Sequence, residues 1–151
     1  MFNALLGFHS ALRYVLLILL VSAIIKSVSG WLQKGDYKKG HGKLSLFTMI
    51  FAHIQLLIGL SLYFMSDIVS MAHGNMAAAM KNIALRFWAV EHITGMVAAV
   101  VLITIGRRIA KNANEDVTKH RKTAIFFILA LIIIFISIPW PFSSVPRAFF
   151  Y

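Results

Sequence analysis

The sequence predicts an all-α integral membrane protein, a single transmembrane domain over residues 1–151 folded as a four-helix bundle with up-down topology and both termini outside. Three observations carry that prediction. The chain is 60% hydrophobic with a mean hydropathy of +0.80. Only 13% of its residues are charged, against roughly a quarter in ordinary soluble domains. Those charges are gathered in blocks, leaving uncharged runs of 23 residues (44–66), 24 residues (123–146) and 15 residues (92–106). A spanning helix needs about 20 mostly apolar residues. A soluble bundle would show a polar face along each helix, and these runs have none.

The elements come in this order. Helix one is predicted over residues 5–29. Gly30, Gly35, Gly40 and Gly42 then break the chain into a basic loop. Helix two is predicted over residues 44–65. A loop spans residues 66–85, with a weakly amphipathic stretch from Asn75 to Leu85. Helix three is predicted over residues 86–106, and a strongly charged loop connects it to helix four over residues 123–138. Pro139 and Pro141 end that helix, because proline cannot donate to the helical ladder. The remaining tail, 139–151, is aromatic and reads as an interfacial belt rather than a fifth span.

Basic residues set the orientation. Lys26, Lys34, Lys38, Lys39 and Lys43 surround the first loop, and Arg107, Arg108, Lys111, Lys119, Arg121 and Lys122 the third. The second loop has only Lys81 and Arg86, and the tail only Arg147. The positive-inside rule puts the first and third loops in the cytoplasm of a multi-pass protein of the bacterial inner membrane. The net charge of +10 therefore points to anionic lipid and not to nucleic acid. Met1 opens an apolar segment with no basic stretch before it, unlike a cleaved signal peptide. The absence of cysteine excludes disulfides, thiolate nucleophiles and iron–sulfur clusters.

Three of the four spans carry a histidine: His9, His53 and His92. An imidazole in hydrocarbon is costly unless it faces the bundle interior with a partner. Helices one and three both enter from the outside. At about 1.5 Å per residue, His9 and His92 lie at a common level near the outer face, and His53 lies deeper. Two opposed imidazoles at one level suit the axial positions of a haem iron. His9 and His92 are therefore the expected ligands of one haem b. Gly95, three residues after His92, would let a flat macrocycle approach the backbone. Arg13, four residues after His9, needs an anion, either a haem propionate or Glu91. A pair between Arg13 and Glu91 would lock helices one and three together. Each histidine also has a plainer reading as an interhelical hydrogen-bond partner, and His53 could instead relay protons or contact a quinone. Gln55 and Gly59 read as polar glue and close packing between helices. His41 and His120 lie in the basic loops and are expected to be solvated. Met65, Met71, His73, Met76 and Met80 in the outer loop have copper-like chemistry, but burial of methionines in the headgroup region is the preferred reading.

The segments FHSALRYVLLILL, FAHIQLLIGLSLYFMS, WAVEHITGM and SIPWPF resemble the small four-helix bacterial membrane proteins labelled "cytochrome b", over nearly the whole chain. A more distant likeness is to one four-helix half of haem A synthase, where His9, Gln55 with Gly59, and His92 would match in order. Here the arginine comes four residues after His9 instead of adjoining it, and no second half is present. The likeness implies haem binding more than synthase activity. The depth-matched His9 and His92 carry the leading expectation, a b-type haem membrane protein that passes electrons with the quinone pool or a respiratory partner. The alternatives are a haem-free accessory subunit of a larger membrane complex and a haem A synthase-like enzyme. No complete catalytic constellation is visible, so an electron-transfer or accessory role is expected ahead of a stand-alone enzyme.

Overall fold

The computed structural model describes residues 1–146. The last five residues, including Arg147 and the end of the aromatic tail, lie outside the described residues. All regular structure among the described residues is helical: α1 (Phe2–Leu32), α2 (Lys39–Phe64), α3 (Asp67–Gly74), α4 (Met76–Ala79), α5 (Ile83–Arg86), a π-helical turn (Phe87–Glu91), α6 (His92–Asn112) and α7 (Asp116–Ser137). Four helical stretches are long and apolar enough to cross a membrane: Phe2–Leu32, Lys39–Phe64, Ile83–Asn112 and Asp116–Ser137. The long helices form a closed ring. α1 packs on α2 and α7, and α6 packs on the same two, so α1 and α6 face each other across the diagonal.

The long helices extend past their expected bounds, chiefly at the ends carrying Lys and Arg. α2 begins at Lys39 rather than residue 44, α6 runs to Asn112 rather than 106, and α7 starts at Asp116 rather than 123. Hydropathy marks where the bilayer begins, but Lys and Arg are good helix formers, and the ladder continues through them. The far end of α7 is where proline put it, with Ile138 as its cap before Pro139. The outer connection is more ordered than expected. Asn75 and Asn82 cap α4 and α5 by accepting from Ala78 N and Leu85 N at 3.0 and 3.1 Å.

Small residues line the interior and large ones the outside. Leu20, Ile103 and Phe127 are wholly buried at mid-bundle, with Ala23, Ala52, Ala99 and Ala130 around them. Ile18, Ile25, Leu57 and Ile136 project outward and are largely exposed. A soluble protein would hide such residues; this surface is compatible with lipid contact.

The basic end departs from expectation. His120 has no exposed surface. Its Nε2 faces the Asp36 carbonyl at 3.3 Å, and its ring meets those of Tyr37 and His41 edge-on, each at 4.9 Å between centroids. The reason is Gly30, whose missing side chain leaves the space the imidazole fills. The α1–α2 turn folds over this cluster, with Lys34 rather than Gly35 in the left-handed conformation (φ 51°). Tyr37 N donates to Asp116 Oδ2 at 3.0 Å and fastens the turn to α7. His41 is half-buried at the edge of the same cluster.

Gly30→Ala tests this packing. Alanine in a helix interior normally stabilises by about 1 kcal/mol over glycine. Here its methyl would overlap the His120 ring, so the apparent Tm in detergent should fall, reflecting overpacking of about 1–3 kcal/mol. In a His120→Ala background the sign should reverse.

Candidate functional site

The half of the bundle next to the α2–α6 connection holds a cavity with about 1260 Å³ of space between atoms, its open mouth included. His9 and Arg13 reach it from α1, Gln55 and Gly59 from α2, and Trp88 and His92 from the third span. Its remaining walls are mostly apolar, with Leu16 and Leu62 on one side and Ile93, Met96 and Ile134 on the other. The two histidines expected to be paired thus line one space from diagonally opposed helices.

Each histidine is set by the helix beside it. His92 Nδ1 lies 2.7 Å from the Ser137 carbonyl. A carbonyl only accepts, so Nδ1 carries the proton and Nε2 carries the lone pair. Ser137 can come this close because Gly95 has no side chain: a Cβ there would collide with the Ser137 side chain. Gly95 therefore serves the α6–α7 contact, and the expectation that it faces a macrocycle is corrected. His9 rests on α2. A methyl group at Gly59 would stand 3.1 Å from His9 Cε1. Gln55 Nε2 donates to the His9 carbonyl at 2.9 Å, while its Oε1 is buried without a partner among the described residues. Gln55 and Gly59 join helices as the sequence suggested, and they also shape the cavity wall.

Arg13 does not reach Glu91. Its Nη2 donates to Tyr14 Oη at 2.9 Å, and its guanidinium lies 4.7 Å from the Tyr14 ring centroid and 5.9 Å from the Trp140 ring. Glu91 pairs instead with Arg86 at 2.6 Å. The reason is the π-helical turn, which carries Glu91 toward the outer loop and α5. The expected lock between helices one and three is therefore absent. Trp140 is held by its indole N–H donating to the Phe135 carbonyl at 2.8 Å, which brings the start of the aromatic tail over Arg13.

His53 stands apart from this cavity. It is exposed on the outer side of α2, with Nδ1 2.8 Å from the Met49 carbonyl. It lines a separate shallow groove between α2 and α6. In the outer loop, Tyr63 Oη donates to the Ala89 carbonyl at 2.9 Å and meets His73 Nε2 at 3.0 Å, binding α2 and α3 to the π turn. Met71, Met76 and Met80 remain exposed. Among the described residues no three His, Cys, Asp or Glu side chains converge as a metal cluster.

Sequence reasoning missed Trp88, Tyr63, Trp140 and the role of the Ser137 backbone. It also missed the π turn directly before His92, a distortion often found at functional sites. A π turn widens one turn of the helix and so changes which way the side chains after it face, and apolar periodicity in an apolar helix is too weak to report such a shift. Compared with models of protein families, curated proteins and solved structures, the chain matches none.

The separation of Arg13 from Glu91 is open to a double-mutant cycle. Arg13→Gln and Glu91→Gln should have additive effects on unfolding in detergent, with a coupling below about 0.5 kcal/mol. Glu91→Gln alone should cost no more than about 1 kcal/mol, as its partner is the exposed Arg86.

Proposed function

We propose that this chain is a b-type haem-binding protein of the bacterial inner membrane that exchanges electrons with the quinone pool or a respiratory partner. In this reading the four long helices run up and down, with both termini outside and the basic loops in the cytoplasm. The observation that carries it is that His9 and His92 line one cavity from diagonal helices, with His92 Nδ1 hydrogen-bonded to the Ser137 carbonyl.

The residues present fit a haem on three counts. The cavity walls are mostly apolar, as a macrocycle requires. Metal-bound histidines commonly donate their second ring N–H to a carbonyl, which fixes the ring and strengthens the donor nitrogen; His92 already has this arrangement. Arg13, at the cavity wall, has the planar fork that suits a carboxylate such as a propionate.

A haem held there supplies one-electron chemistry. The remaining work belongs to the chain. His92, oriented through Ser137, and His9, supported by Gly59 and Gln55, are the residues that would hold such a group. Arg13 would offset the negative charge of a buried carboxylate there, leaving the site less negative than it would be without the guanidinium. Apolar residues such as Leu16, Val100 and Ile134 line the site and exclude water, and Leu20, Ile103 and Phe127 are packed solid in the core.

A reduced-minus-oxidised absorption spectrum of detergent-purified protein from haem-supplied cells tests the reading. Sharp α and Soret bands are expected from the wild type, and their loss is expected in His9→Ala and in His92→Ala. Arg13→Gln should retain the bands with a lower midpoint potential, because a nearby positive charge favours the reduced form. A featureless wild-type spectrum rejects haem binding.

A further inference from the structure

His53 lies close to mid-span: it comes fourteen residues after Lys39 and eleven before Phe64 in α2, roughly 21 Å and 16 Å from the two ends. It is exposed there, on a surface otherwise made of lipid-facing apolar residues. A polar group facing hydrocarbon is costly and, where it is kept, marks a site. His53 sits at the edge of a groove of about 500 Å³, open side included, whose walls are Leu56 on α2 and Val97, Val101, Thr104 and Ile105 on α6.

The hydrogen-bonding chemistry of this groove is one-sided. His53 Nδ1 faces the Met49 carbonyl at 2.8 Å and must donate to it, which leaves the lone pair on Nε2. Thr104 Oγ1 donates to the Val100 carbonyl at 2.7 Å, so its hydroxyl proton is also committed within its own helix. Both polar side chains therefore offer acceptors and no donor. A ligand from the bilayer must bring an O–H or N–H. The walls are bulky and branched, whereas helix–helix interfaces in membranes favour small residues that let backbones approach. The space suits one ring rather than a helix. Leu56 and Val100 line both this groove and the cavity holding His9 and His92, so one layer of side chains separates the two.

We propose that this groove is a binding site for the reduced, hydroxyl-bearing ring of a membrane quinol, with a ring hydroxyl donating to His53 Nε2 and the isoprenoid tail lying in the bilayer. The proposal deepens the electron-transfer reading by locating its lipid partner, and it rests on that reading for its purpose. The acceptor-only lining gives it a direction: the quinone, which has only acceptors, and the quinol dimethyl ether, which has lost its donors, bind more weakly than the quinol.

The test uses the full-length protein in lipid nanodiscs under anaerobic conditions, with a decyl-tailed benzoquinol, its quinone and its dimethyl ether as probes. Binding to the wild type should favour the quinol over both others by about tenfold, the worth of one good hydrogen bond in an apolar site. His53→Leu should lose that preference, and His53→Gln, whose amide oxygen still accepts, should keep most of it. Equal affinity for quinol and ether, or a His53→Leu variant that binds as the wild type does, overturns the proposal. So does a second copy or another membrane subunit that co-purifies with the wild type and is released by His53→Leu, for then a helix covers the groove. The haem bands of the same samples are read separately. Their absence would reject the haem reading while the quinol affinities still stood or fell on their own.

Discussion

The hydrogen bond from His92 to the Ser137 carbonyl organises the half of this bundle opposite the basic end. Backbone carbonyls inside a helix are already engaged; those of the last turn are not. Ser137 is the last residue of α7, so its carbonyl is open to a donor from another helix. Pro139 stops the helix just beyond it, and Gly95 removes the side chain that would hold α6 away. The imidazole thus satisfies an end-of-helix carbonyl and is itself fixed in one tautomer. In hydrocarbon neither group has water as an alternative, which makes the pairing a strong constraint on how α6 and α7 meet.

The bundle has two polar regions separated by an apolar plug. At the outer end His9, Arg13, Gln55 and His92 border a cavity. At the basic end His120, Tyr37 and His41 pack as a solid aromatic cluster without a comparable space. Leu20, Ile103 and Phe127 fill the middle. Both ends use the same device, a glycine on one helix under a side chain of the next: Gly59 beneath His9 and Gly30 beneath His120. The two ends differ in what meets there: the π turn and the α2–α6 connection at one, the short α1–α2 turn at the other.

Much of this was legible in the residues. The spacing of charges identifies four spans, since removing charge from water over the width of a bilayer is prohibitive and evolution leaves such runs clean. Counting depth from the outer boundary was enough to match His9 with His92 and to separate His53. Burial of His120 was not legible. A histidine among lysines and arginines reads as a solvated loop residue, and only the approach of Gly30, far earlier in the chain, turns it inward. Nor could the sequence reveal that Glu91 points to Arg86, because a π turn changes the angular position of a side chain without changing its number.

Composition and charge spacing by themselves determined the all-helical class and the number of long apolar helices, because these depend on one dimension, distance along a helix axis. The tertiary structure decided which way each side chain faces: His92 and His9 toward a shared cavity, His53 toward the outer surface of the bundle, Gly95 toward Ser137 and Arg13 toward Tyr14 and Trp140. Rotation about the helix axis is set by contacts between helices. In a chain whose lipid-facing and inward-facing residues are both apolar, no periodic pattern in the sequence encodes it.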